Sequence, residues 1–198
     1  MASYQAIAAV SRAIRGMLDS ACPRPEFDGA QFKVYQVNDF QTPMDEGVSL
    51  YLYRVSSSSR RNLPSRIGPN GETYRPPLPL DLYYMLTAWG RTFEKQQELL
   101  GFCIRELGNA PILPSGLLNH FGPERDVFRE DEAVELVFEP LSLQDFSNIW
   151  EPLKPNLQPS ATYVARMVSI ESTVEVTGGG IVQTRRFEFK DATGLSGE

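Results

Sequence analysis

Residues 48–55 read VSLYLYRV, and no other stretch restricts the fold so strongly. In an extended chain successive side chains point to opposite faces. Here both faces are largely aliphatic or aromatic, so neither can be left in water. The run therefore predicts a central strand, covered on both sides. Residues 163–168 repeat the pattern near the other end of the chain. Residues 31–37 (QFKVYQV) alternate instead, with Phe32 and Val34 on one face and Tyr35 and Val37 on the other. Residues 133–138 (AVELVF) alternate likewise. In 80–88 (LDLYYMLTA) the preceding prolines and the Tyr-Tyr pair favour strand over helix.

Helical spacing appears between these runs. Ile7, Val10, Ile14, Met17 and Leu18 form one stripe over residues 3–20, with Ser3 as cap and Pro23 and Pro25 as stop. Phe93, Leu100, Cys103, Ile104 and Leu107 form a second stripe over 92–107, and Gly108 follows it. One short helical turn is expected within 114–121. Ser142 and Asp145 match a capping box before Leu143, Phe146, Ile149 and Trp150, a greasy-sided helix that Pro152 is expected to close.

Residues 56–80 hold four consecutive serines, five prolines and no periodicity, which predicts a long loop. The last legible unit is a hairpin. Residues 169–177 place Ile170, Val174 and Val176 on one face and Ser169, Glu171, Thr173 and Glu175 on the other. Gly178-Gly179 supplies a two-residue turn. That register sets Val176 opposite Ile181, Ile170 opposite Phe187, and Val168 opposite Phe189. On the polar face it sets Glu171 opposite Arg186. The expected organisation is an α/β domain over 1–168, a hairpin arm over 169–190 and a flexible tail over 191–198.

Catalytic constellations are not visible. The chain has 198 residues, a formal net charge of −6, one histidine and two cysteines. Acidity disfavours a general nucleic-acid binder. His120 lacks a nucleophile-elbow motif around any serine. Cys22 and Cys103 are too far apart in sequence for a metal motif and read as buried free thiols. Gly178-Gly179-Gly180 precedes no helix and no G-K-[ST], so it is no phosphate cradle. No apolar run approaches the ~20 residues of a membrane span. Neither the first twenty residues, with Arg12, Arg15 and Asp19, nor the composition points to export, and a cytoplasmic protein is expected.

Charge is unevenly distributed. Residues 54–75 carry Arg54, Arg60, Arg61, Arg66 and Arg75 against Glu72 alone. Residues 124–139 carry seven carboxylates, among them Glu130, Asp131 and Glu132, against Arg125 and Arg129. Either both are solvated loops or they meet between neighbouring copies of the chain. Trp150 poses the same choice, between packing under the sheet and anchoring a subunit interface.

Several segments resemble one family in its own order: YQAIAAVSRAIRGML, VSLYLYRV, RPPLPLDLYYMLTAWG with QQELLGFCIREL, and EPLSLQDFSNIW with SATYVARMVSIES. They look like the tail-terminator or cap proteins of extracellular contractile injection systems, relatives of contractile phage tails. The resemblance covers roughly residues 4–172. It implies a non-enzymatic structural protein, with a mixed, largely antiparallel sheet flanked by helices. Such proteins form a ring, typically of six copies, that ends the inner tube and anchors the last sheath layer. No cofactor, nucleic acid or inserted membrane segment is implied. On this reading Arg54, Arg60, Arg61, Arg66, Glu130, Asp131, Glu132 and Trp150 are candidate subunit-interface residues. Ile170, Val174, Val176, Ile181, Phe187 and Phe189 are candidate contacts to sheath or tube. The alternatives are an adaptor that docks the particle to a membrane or host component, and a small hydrolase using His120.

Overall fold

The computed structural model describes residues 2–58, 63–68, 70–153 and 157–176. Eight strands are present: β1 (Gln31–Val34), β2 (Gly47–Ser57), β3 (Arg66–Ile67), β4 (Thr73–Tyr74), β5 (Leu78–Trp89), β6 (Ile112–Pro114), β7 (Ala133–Phe138) and β8 (Ser160–Ile170). Helices are α1 (Ala6–Ala21), α2 (Phe93–Asn109), α3 (Ser115–His120) and α4 (Leu143–Leu153), with a 3-10 helix over Val37–Gln41. Six strands form one sheet in the order β1-β2-β5-β8-β7-β6, and β3 pairs with β4 apart from it. Only the β1–β2 pairing is parallel among these strands. This is the mixed, largely antiparallel sheet flanked by helices that the sequence and its resemblance implied.

β2, β5 and β8 lie in the middle of the sheet, which is why their sequences are apolar on both faces. On one face Leu82, Tyr84, Leu86 and Ala88 of β5 join Val48 and Leu50 of β2. Val10 and Ile14 of α1, Leu99 and Phe102 of α2 and Leu118 of α3 cover them. Buried within this layer, the Tyr84 hydroxyl lies 2.9 Å from Ser11 Oγ. The opposite face presents Met85 and Trp89, covered by Phe40 from the 3-10 helix and by Trp150 and Leu153 from α4. The Trp89 indole donates to Ser49 Oγ at 2.9 Å. One sheet thus separates two hydrophobic layers.

Several boundaries depart from expectation. The alternating run 31–37 is strand only to Val34; Tyr35 then turns into the second layer, where its ring stands edge-on to Phe40 at 5.2 Å. Pro152 sits inside the last turn of α4 and does not end it. The loop 56–80 holds a short hairpin, β3–β4, turned at Gly68 and at Gly71, whose φ is +87°. The N–H of Gly68 donates to Glu72 O at 2.7 Å. Two-residue strands carry no readable alternation, so periodicity alone misses them.

Candidate functional site

The junction beyond the end of β8 gathers Arg66, Ile170, Val174 and Val176. The strand expected over 169–177 is interrupted: β8 stops at Ile170, which bridges Ala2, and Glu171 N–H donates to Ala2 O at 3.0 Å. Ser172 Oγ then accepts from Val174 N–H at 3.2 Å. This local side-chain turn competes with the ladder and takes the chain off the main sheet. The segment next pairs antiparallel with β4. Arg75 N–H donates to Val174 O at 3.0 Å, and Val176 N–H donates to Thr73 O at 2.6 Å. β3, β4 and residues 174–176 therefore make a small three-stranded sheet. Ile181, Phe187, Phe189 and Arg186 lie outside the described residues, so the predicted hairpin register does too.

Register assigns the faces of this small sheet. Arg66, Tyr74 and Glu175 stand opposite one another and share a face. Ile67, Thr73, Arg75, Val174 and Val176 share the other face. The first face is tied to the body. The Arg66 guanidinium lies 5.2 Å over the Tyr74 ring and pairs with the Glu171 carboxylate. Arg129 reaches the same carboxylate at 3.3 Å. One glutamate therefore holds a cation from the basic segment and a cation from the acidic one.

The two charged segments adjoin within a single chain. Ser58 and Leu63 line a cavity of about 180 Å³ together with Asp131, Glu132 and Met167. Met167 belongs to a β-bulge of β8 and has φ +68°, a left-handed conformation unusual for a methionine. Glu132 accepts from Arg129 N–H at 2.9 Å, while Glu130 and Asp131 are exposed. Arg54 lies 4.9 Å over the Tyr83 ring at the edge of the second layer. Arg60 and Arg61 lie outside the described residues.

Trp150 is 4% exposed. It packs edge-on against Phe40 at 5.7 Å and against Trp89 at 6.5 Å, inside its own chain. Half of the expected capping box is seen: Asp145 N–H donates to Ser142 Oγ at 3.1 Å, and the Ser142 hydroxyl, in place of its backbone N–H, donates to Asp145 Oδ2 at 2.6 Å. Between this end of α4 and the sheet runs a groove of about 460 Å³, walled by Tyr53, Tyr83 and Glu139. Burial, then the nearby Glu139 carboxylate, push the Tyr53 phenol up to about 12.

The His120 ring stands edge-on to Phe121 at 4.7 Å. Cys22 and Cys103 are free and buried, and burial raises both thiols above their ordinary range. Among the described residues, no group of three or more His, Cys, Asp or Glu is placed to hold a metal ion. No described helix is long and apolar enough to cross a membrane. Ile67 of the small sheet escapes sequence reasoning, and Arg75 was read only as one charge of the basic segment. The signal for the small sheet was a Gly-Pro-Asn-Gly turn inside a segment otherwise without pattern.

Two solved structures share this fold. The sheath/tube terminator of an extracellular contractile injection system, PVC, in the extended state matches with a TM-score of 0.61 and 16% identity, over 96% of this chain. The tube-terminating cap of the anti-feeding prophage matches with a TM-score of 0.58 and 15% identity, over 91% of this chain. The chain spans 65% and 60% of the lengths of those two proteins. A search of curated proteins gives no match. The model of the Pvc16 N-terminal domain matches residues 9–184, most of the sequence. The chain belongs to the Pvc16 N-terminal domain family.

Proposed function

We propose that this protein is a structural cap, the tail terminator of a contractile injection system, and not an enzyme. It assembles as a ring, of six copies on the family resemblance, that ends the inner tube and holds the last sheath layer. The ring joins the particle as it is built in the cytoplasm. The observation that carries this reading is the match of nearly the whole chain to the fold of a sheath/tube terminator, together with the family match over residues 9–184. The site chemistry agrees with it. The chain offers charged and apolar surfaces suited to contacts of that kind.

Opposed charge on one chain suits a head-to-tail contact, in which one patch binds a different patch of the next copy and closes a ring. Candidate contributors are Arg54, Arg60 and Arg61 on one side and Glu130 and Asp131 on the other. Arg66 and Glu132 already serve internal contacts. Val174, Val176 and the sequence beyond them are candidate contacts to sheath or tube. The test is imaging of particles assembled without this protein. Tails of uncontrolled length, or sheaths that detach, are expected; tails of normal length with firmly attached sheaths overturn the reading.

A further inference from the structure

The small sheet leaves one face in water, and that face is apolar. Ile67 is 74% exposed, Val174 47% and Val176 43%. Branched aliphatic side chains clustered on a solvent face mark an interaction surface more often than a folding need. Arg75 shares the face, and its guanidinium has no ion-pair partner among the described residues. The patch is thus aliphatic with one unspent positive charge. Its orientation is fixed from behind by the Arg66–Glu171–Arg129 contacts.

A complementary patch lies elsewhere on the same chain. β6 is the outermost strand of the main sheet, and Ile112 on it is 61% exposed. Directly opposite in register stands Glu135 of β7, which makes no ion pair among the described residues. This patch offers one exposed aliphatic side chain beside a carboxylate, since Arg166, opposite Glu135 on β8, pairs with Glu139 at 3.1 Å instead. The two patches lie on different elements of one copy. Val174 follows the end of β8, whereas Ile112 sits two strands away across the rigid sheet.

We propose that the small-sheet face of one copy docks on the β6–β7 edge of a second copy, with Arg75 meeting Glu135 around an aliphatic centre. The contact joins two different patches, so it propagates from copy to copy and closes into a ring when the rotation permits. The apolar groups supply affinity, and the charge pair sets orientation. This inference rests on the terminator reading and names the surface through which its subunits meet.

Disulfide trapping of the full chain tests it, since the native thiols are buried. The double variant Val174→Cys/Ile112→Cys, oxidised mildly, is expected to give a ladder of covalent oligomers beyond the dimer. Each single variant, whose new thiol meets an aliphatic side chain of the next copy, should stay uncrosslinked. Sedimentation adds a charge test: Arg75→Glu weakens self-association roughly tenfold, and adding Glu135→Arg restores it. If the wild-type protein forms oligomers but the double-cysteine variant gives no ladder, this surface is wrong and the terminator reading stands. A wild-type protein that stays monomeric at tens of micromolar also overturns the proposed contact. Tail length in particles lacking the protein reports on the terminator reading independently.

Discussion

Gly47 shows how one missing methyl group shapes an edge of the sheet. Its φ is +147°, and it opens β2 opposite Gln31 of β1. A Cβ built there would lie 2.0 Å from Gln31 O and 2.7 Å from Gln31 N. Both are backbone atoms of a paired strand and cannot swing aside. Gly47→Ala is therefore expected to cost about 1–3 kcal/mol, read by chemical denaturation. Gly101 on α2 is the control. Nothing lies within 4 Å of its Cβ position, so Gly101→Ala should stabilise by roughly 0.5–1 kcal/mol. Equal stability of the two variants would contradict the close approach. Tyr53 makes a second prediction at this scale. Its phenol is raised to about 12, against 10 for an ordinary tyrosine. A raised pKa means that the folded state keeps its proton while the unfolded state loses it. The stabilisation is thus whole below pH 10 and is lost as pH rises towards 12. Tyr163, raised to about 12 mainly by burial, adds to the same alkaline loss. Denaturation midpoints should begin to fall near pH 9, as the unfolded chain ionises the thiols that burial keeps protonated in the fold, and fall further above 10. The fall should be shallower in Tyr53→Phe; an identical slope would remove Tyr53 from the account.

Among the elements, the small sheet depends on Glu171 and the main sheet does not. The Glu171 carboxylate faces two guanidiniums, from Arg66 and Arg129. Glu171→Gln keeps the shape and removes the charge. Amide exchange at Arg75 and Val176, the donors that join residues 174–176 to β4, is expected to quicken about tenfold as the small sheet opens locally. Amides in the centre of β5 should keep their protection. If β5 loses protection in parallel, Glu171 supports the whole fold and the two-part description fails. The elements also divide by how well the sequence reveals them. β2 and β8 were legible because burial on both faces leaves few polar positions, and β5 from the prolines before it and its Tyr-Tyr pair. α1 was legible from its stripe and α4 from a cap whose two side chains do meet, whereas α2 was legible as a helix but only partly by its face: Phe93 and Ile104 of the expected stripe are exposed, and Leu99 and Phe102 are buried instead. β3, β4 and the detour at Ser172 were not. They are set by a turn and by a partner strand far along the chain, neither of which leaves a period. The candidate site was hidden for the same reason. Sequence marks Arg66 and Glu171 as charged, but only tertiary structure shows that they pair with each other and leave Arg75 and Glu135 open.

At the scale of the molecule, the sheet couples two hydrophobic layers that share no helix. Leu86 and Met85 are neighbours on β5, yet Leu86 faces the layer under α1 and α2 while Met85 faces the layer under α4. Each layer alone would leave one face of β2, β5 and β8 in water, and an apolar face of that size cannot stay wet in a monomer. The layers should therefore fold and unfold together. Leu86→Ala and Met85→Ala are each expected to cost about 2–5 kcal/mol. Both variants should keep a single transition, in which tryptophan fluorescence and far-ultraviolet circular dichroism coincide. Trp89 and Trp150 both sit in the second layer, so fluorescence reports on that layer alone. Loss of fluorescence ahead of the dichroism in Met85→Ala would mean that α4 and the 3-10 helix come away as a unit. The second layer would then be an appendage and not half of the core. A coincident transition matters for assembly. On the contact proposed above, a subunit held by neighbours at its sheet edge and its small sheet would pass load through the main sheet, and a sheet anchored on both faces resists such load as one body.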